Sequence, residues 1–247
     1  MAFPRTPRPT ALVTGAGTGL GRAFARRLAR EGHRVIAVAR NEERLRALTA
    51  ELGPDHDHLV ADLATAEGLH RTAELIGTTR VHLLVNNAGT ATTGPFATTP
   101  LDRADAMLEL NCRAVTALSH AFLTHAESGD ALLNIASTLA HAPKAQLAVY
   151  SATKAYTVAL SEALWAELRG SGVRVLALCP GMTATESQPH HDAPAALVQT
   201  PEQVVEAALR ALRGTAPTAV PGAVNRLFAL AARALPRRRV LTALADG

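Results

Sequence analysis

Thr14-Gly15-Ala16-Gly17-Thr18-Gly19-Leu20-Gly21 follows the apolar run Ala11 to Thr14 and leads into the helical pattern Leu20 to Glu31. Where a strand turns into a helix through glycines, backbone N–H groups and the positive helix end together face an anion such as a pyrophosphate. The spacing is G-x-x-x-G-x-G rather than the commoner G-x-G-x-x-G. Glycine turns also exist simply to let a strand and a helix pack closely. The order of strand, turn and helix is what gives the cofactor reading its weight.

Outward from this turn the chain keeps alternating. Arg34 to Ala39 is followed by Glu42 to Leu52, Leu59 to Ala61 by Thr65 to Ile76, and Val81 to Asn86 by a long helix from Leu101 to His125. Ala131 to Ile135, a helix from Tyr150 to Arg169 and Val173 to Cys179 complete the pattern. Runs such as VHLLV and VRVLAL are apolar on both faces, which suits parallel strands covered by helices on each side. The expected fold is α/β, a Rossmann-type doubly wound parallel sheet of about seven strands in a single domain. Residues 10–185 would form the cofactor-binding and catalytic core, 186–200 a substrate lid loop, and 201–247 C-terminal helices. Thr200 and Pro201 read as N-cap and first helical residue of PEQVVEAALRAL, and TAV before Pro221 as a last strand.

At the end of the second strand an NAD-binding fold places an acid for the ribose hydroxyls; this chain has Ala39-Arg40-Asn41. A guanidinium there would pair with a 2′-phosphate, so NADP(H) is favoured over NAD(H). The competing reading is a solvated Arg40 paired with Glu42 or Glu43. Tyr150 and Lys154 stand at i and i+4, on one helical face. A phenol of pKa about 10 is a poor acid/base at neutral pH unless a neighbouring cation favours phenolate. Ser137 lies just past the strand ALLNI, where a doubly wound sheet opens its crevice. Asn111 shares a helical face with Met107, Ala114 and Leu118, so an amide is placed on a buried stripe and must find a partner.

Together these residues resemble the classical branch of the short-chain dehydrogenase/reductase family, over Thr10 to Thr185. The features agreeing in order are the glycine turn, Asp62-Leu63, Asn86-Asn87-Ala88-Gly89, Asn111, Ser137 with Tyr150 and Lys154, and Pro180-Gly181 with Thr185. The resemblance implies that Gly15, Thr18, Gly19, Leu20, Gly21, Arg40, Asp62, Leu63, Asn87, Ala88, Gly89, Pro180, Gly181, Thr183 and Thr185 bind the cofactor with Tyr150 and Lys154. It implies that Tyr150 gives a proton to a carbonyl oxygen, that Ser137 holds that oxygen, and that Lys154 binds the nicotinamide ribose and lowers the pKa of Tyr150. Asn111 would hold a water in a proton relay to Lys154. VIAVARNEERLRALTAEL and VPGAVNRLFALAARALPRRR resemble a bacterial NADP-linked reductase subgroup. Ala136, where serine is frequent, and Thr183, at a usually apolar position, depart mildly from the pattern.

The 247 residues are 48% apolar and 3% aromatic, with a net charge of +4. That excess is terminal: Arg5 and Arg8 lie in the Pro-rich leader, and Arg226, Arg233, Arg237, Arg238 and Arg239 face only Asp246 after Gly222. The body between is slightly acidic, which gives no footprint for nucleic acid. Two cysteines, Cys112 and Cys179, form no disulfide framework, and no apolar run reaches signal or membrane-span length, so a cytoplasmic protein is expected. His56 with His58, and His190-His191-Asp192 in the lid, lack the ligand set of a metal site. Val224, Leu227, Phe228, Ala231 and Leu235 fall at helical spacing. Such a helix would pack across the substrate mouth or against another subunit of a homo-oligomer, a dimer or tetramer; a peripheral membrane helix is the alternative. The expected activity is reduction of a small ketone or aldehyde, or its reverse. The alternatives are a membrane-surface reductase of a lipid-like ketone and a non-catalytic NADP-binding sensor. The pocket would come from Thr90 to Pro95, His141 to Leu147 and Gly181 to Pro194.

Overall fold

The computed structural model describes residues 8–186 and 198–245. Seven strands, β1 (Thr10–Thr14), β2 (Arg34–Ala39), β3 (Asp57–Val60), β4 (Leu83–Asn86), β5 (Ala131–Ile135), β6 (Arg174–Leu178) and β7 (Thr218–Ala219), form one sheet in the order 3-2-1-4-5-6-7. Every pairing is parallel, with Val13 opposite Ala37 on one side and Val85 on the other. The order reverses between β1 and β4, and the carboxyl ends of these strands open the crevice there.

The helices are α1 (Gly19–Arg30), α2 (Glu42–Leu52), α3 (Ala66–Thr78), α4 (Leu101–Leu108), α5 (Ala114–Leu123), α6 (Ala148–Glu167), α7 (Pro201–Leu212), α8 (Ala223–Ala234) and α9 (Arg237–Ala245). Alternation within β1 divides the core. Ala11 and Val13 pack with Phe24, Leu28, Leu45 and Leu209 from α1, α2 and α7, while Leu12 packs with Leu69, Leu118 and Phe122 from α3 and α5. The central strands β1, β4 and β5 are thus buried on both faces, as their unbroken apolar runs require.

Several boundaries differ from the sequence reading. β3 begins at Asp57, because its register is set by pairing to Ile36 through Ala39 rather than by its own apolar residues. The long helix is interrupted by a π turn at Glu109–Arg113. The terminal helix is two helices, broken at Leu235-Pro236. Of the stripe expected to pack across the substrate mouth or against another subunit, Phe228 packs on the body, while Val224, Leu227 and Leu235 are exposed. Small residues, Ala229 and Ala232, face the body as well. α7 opens with a capping box in which Thr200 and Gln203 bond each other's backbone. His190, His191 and Asp192 lie outside the described residues. His56 and His58 serve the fold: His56 Nδ1 accepts from Val35 N at 3.0 Å, and His58 Nδ1 lies 3.2 Å from Thr49 Oγ1.

Candidate active site

The glycine turn is locked to the end of β4 by one hydroxyl. Thr14 Oγ1 accepts from Asn87 N at 3.0 Å and Ala88 N at 2.9 Å, while Asn87 Nδ2 donates to Thr14 O at 2.9 Å. Gly15 has φ +65°, and a Cβ there would sit 2.8 Å from Asn87 Nδ2. A Cβ at Gly21 would lie 2.2 Å from Gly15 O, so only glycine lets α1 approach the turn. Asn87's amide is therefore spent on the turn.

The turn fits an anionic cofactor. Thr18 makes no side-chain cap and the first turn of α1 has no acid, so the N-terminal N–H groups of this helix meet no competing carboxylate from its own first turn. Arg40 extends into solvent with its side chain 75% exposed and Nη1 3.9 Å from Asp62 Oδ2; Glu42 pairs with Arg46 instead. Asp62 Oδ1 accepts from Ala64 N at 3.0 Å. The Leu63 side chain belongs to the core, so only its backbone can face a ligand. Two further arginines stand at this end. Arg22 and Arg44 both pair with Glu186, and a Cβ at Gly17 would meet Arg44 Cβ at 3.7 Å. The sequence reading passed over both, because their convergence depends on α1, α2 and the 181–186 segment meeting in space.

At the ends of β5 and β6 the second group assembles. Ser137 follows β5 and is buried, its Oγ accepting from Leu139 N at 3.2 Å. Tyr150 lies in the first turn of α6, which starts two residues earlier than expected. Burial pushes the Tyr150 phenol above its usual value, with the Ser137 hydroxyl working the other way. Lys154 Nζ donates to Ile135 O at 2.8 Å and stands 5.6 Å from the Tyr150 ring centre. Among the described residues that carbonyl is its hydrogen-bond partner, and burial pulls the ammonium down to about 8. An ammonium has three donors, so a buried Lys154 retains capacity for a diol such as a ribose.

Asn111 sits in the π turn. Its Oδ1 accepts from Thr90 N at 2.9 Å, and its Nδ2 donates to Thr90 O at 2.9 Å and Thr153 Oγ1 at 3.1 Å. Both donors of the amide are used, and its oxygen is held by Thr90. A Cβ at Gly89 would lie 3.2 Å from Asn111 Oδ1 and 3.5 Å from Lys154 Nζ, so this glycine allows both to meet the chain. Beneath them runs a buried amide chain absent from the sequence reading. Asn86 Nδ2 donates to Asn134 Oδ1 at 2.9 Å and Ser119 Oγ at 3.1 Å, and Asn134 Nδ2 donates to Ser161 Oγ at 3.0 Å.

The 181–186 segment closes the crevice. Pro180 O accepts from Thr138 N at 2.9 Å, Thr183 Oγ1 donates to Gly181 O at 3.2 Å, and Thr185 lies against Gly19. Gly181 abuts Asn225 of α8. At Ala148 and Val149, where α6 begins, is a cavity of about 240 Å³ also lined by residues including Thr92, Phe96, Leu101, Met107 and Gln146. Its walls are tied together where Gly94 N donates to Gln146 O at 2.9 Å. α4 contributes Leu101 and Met107, which the sequence reading left out. Cys179 is buried and its thiol pushed up to about 12, so it stays protonated and inert.

Residues 9–195 match the family model described as short chain dehydrogenase. A serine 3-dehydrogenase of Rhizobium radiobacter is 37% identical over 181 residues, covering 72% of this chain and 73% of the relative. A short-chain dehydrogenase from Sphingobium yanoikuyae, solved with NADPH, superposes with TM-score 0.81 at 33% identity, over 90% of this chain and 92% of that one. A bulky-bulky ketone specific alcohol dehydrogenase from Comamonas testosteroni gives TM-score 0.78 at 31% identity, over 87% of each chain.

Proposed function

The chain belongs to the short-chain dehydrogenase family, and from that premise we propose that it is an NADP(H)-dependent oxidoreductase that reduces uncharged ketones or aldehydes, or runs the reverse reaction on secondary alcohols. The observation that carries this reading is the approach of Ser137 and buried Lys154 to Tyr150, with a cavity at the neighbouring Ala148 and Val149 whose described walls hold no cationic side chain. A carboxylate-bearing substrate would need such a cation. That separates the proposal from an activity like that named for the serine 3-dehydrogenase relative.

The cofactor would supply the hydride. Glycine turn backbone and the α1 N-terminus would hold its pyrophosphate, Arg40 with Arg44 its 2′-phosphate, and Lys154 its nicotinamide-side ribose. Ser137 donates a hydrogen bond to the substrate oxygen and so fixes its distance from the Tyr150 hydroxyl. Tyr150 gives its proton to that oxygen as negative charge develops on it. The phenol's raised pKa keeps it protonated and ready in the reductive direction. Lys154, close to the ring, stabilises the phenolate that remains. A water at Asn111 would return the proton to Tyr150 through Lys154.

The test is NADPH oxidation with a panel of aldehydes, ketones and keto acids, run on the wild type and Tyr150→Phe. Turnover of uncharged ketones that Tyr150→Phe abolishes is the expected result. No turnover in the wild type, or a rate unchanged by Tyr150→Phe, overturns the reading.

A further inference from the structure

α8 wears its polarity inside out. Each residue advances a helix by about 100°, and the side turned to the body carries Asn225, half-buried Phe228, Ala229 and Ala232. The opposite side carries Ala223, Leu227, Leu230 and Ala234, with Leu227 69% and Leu230 64% exposed. Val224 and Leu235 are exposed beside them. Arg226 and Arg233, seven residues apart, line one flank of this apolar stripe. Just past the break at Pro236, Arg237, Arg238 and Arg239 are exposed too. Among the described residues no element packs on the leucines. Surface helices of water-facing proteins direct the larger apolar residues to the core; α8 directs Phe228 and two alanines there and leaves its leucines outside.

From this face we infer a docking surface for anionic lipid. An interfacial helix sets apolar residues into the acyl boundary and basic residues at the headgroups, and its binding grows with both terms. Arg226 and Arg233 are placed to lay their methylene stems along the leucines while their guanidinium groups reach phosphate. Charge argues against a second copy of this chain as the occupant. A symmetric contact would bring two sets of five arginines together, and the stretch after Gly222 offers only Asp246 against them. Asn225 abuts Gly181, Arg237 Nη1 donates to His141 O at 2.6 Å, and Ala142 packs with Ala232 and Val240. The helix that would meet lipid therefore packs its other side against Gly181 and, with α9, against the His141-Ala142 segment.

Flotation of the full chain with phosphatidylcholine vesicles, with and without phosphatidylserine, tests the inference. Expected is co-flotation with the phosphatidylserine vesicles that weakens as salt is raised. It should fall by about tenfold or more in Leu227→Glu/Leu230→Glu and in Arg226→Glu/Arg233→Glu, the latter given roughly a fivefold step per arginine lost from the surface. Turnover of a water-soluble ketone should be unchanged in both variants, which also shows that they fold. The inference is overturned if the wild type does not float, or if either variant floats as well as the wild type. It is also overturned if Leu227→Glu/Leu230→Glu lowers the sedimenting mass without a change in vesicle binding, which would make the face a subunit contact.

Discussion

The two ends of β5 both hold a buried charge, and they hold it differently. At the amino end Asp130 is buried with both oxygens of its carboxylate engaged. Arg80 Nη1 and Nη2 reach its two oxygens at 2.7 and 3.1 Å, and Glu127 N donates to it at 2.7 Å. At the carboxyl end Lys154 is as deeply buried, yet Ile135 O is its hydrogen-bond acceptor among the described residues. A charge that is fully answered within the chain stabilises the fold, whereas one left with spare donors costs stability and keeps binding capacity. The sheet's amino edge is thus a seam and its carboxyl edge a site.

The largest effect should come from the carboxyl edge. Removing the Tyr150 hydroxyl as Tyr150→Phe takes away the proton donor, and kcat should fall by about a thousandfold while the thermal midpoint stays near that of the wild type. A loss of less than about tenfold would mean that another group delivers the proton. The paired charges break the comparison most directly. Asp130→Ala leaves Glu127 N without its acceptor and Arg80 with Glu127 and Val81 O alone, and should cost about 1–3 kcal/mol of stability by denaturant titration, with kcat retained in the folded fraction. Lys154→Met removes an under-answered ammonium for an apolar side chain of similar length. It should leave stability equal or higher while nicotinamide cofactor binding, read by fluorescence, is lost. If both variants lose stability alike, the two ends are not distinct in kind.

What was legible in the sequence follows the same division. The strands, the sheet's parallel character and the glycine turn were readable because each is a local pattern: apolar runs buried on both faces, and glycines where a strand meets a helix. Ser137, Tyr150, Lys154 and Asn111 stood out as polar groups at apolar or crevice positions. The seam was not legible, because Arg80 and Asp130 are fifty residues apart and look like ordinary loop charges until β4 and β5 pair. Arg22, Arg44 and the Asn134 amide chain were missed for the same reason. The outward leucines of α8 misled in the other direction: helical spacing identifies a stripe, but not which side of the helix finds a partner.

Arg40 sharpens the site from its exposed rim. Its side chain is three-quarters in solvent and only loosely set against Asp62, so Arg40→Asp should leave the thermal midpoint unchanged. It should also move the ratio of NADPH to NADH efficiency toward NADH by ten- to about a hundredfold, the scale of a lost charge-assisted phosphate contact. Arg44, held by Glu186, should retain part of the preference, and Arg40→Asp/Arg44→Asp should abolish the remainder. A wild type that uses the two cofactors equally would remove the role from both arginines.

The smallest expected effect is on the seam, and it depends on pH. His56 Nδ1 accepts from Val35 N, and His82 Nδ1 accepts from Thr10 N at 2.9 Å, so two strand starts rest on neutral imidazoles. Burial holds His56 below its ordinary value, with Arg8 adding to the effect and Asp55 and Asp57 opposing it. His33, beside the same edge, is held down in the same way. A histidine whose folded pKa lies below its unfolded value binds fewer protons in the folded state. Its support is complete above about pH 6.5 and declines as the pH falls through that value toward the folded pKa. Amide exchange at Val35 should therefore quicken between neutral and mildly acid pH more than at Leu178, on the carboxyl side of the sheet, once each rate is corrected for intrinsic exchange. His56→Asn, which keeps an acceptor and loses the titration, should flatten that difference. Equal acceleration at both residues would mean that acid loosens the sheet as a whole, and that the amino edge is no separate seam.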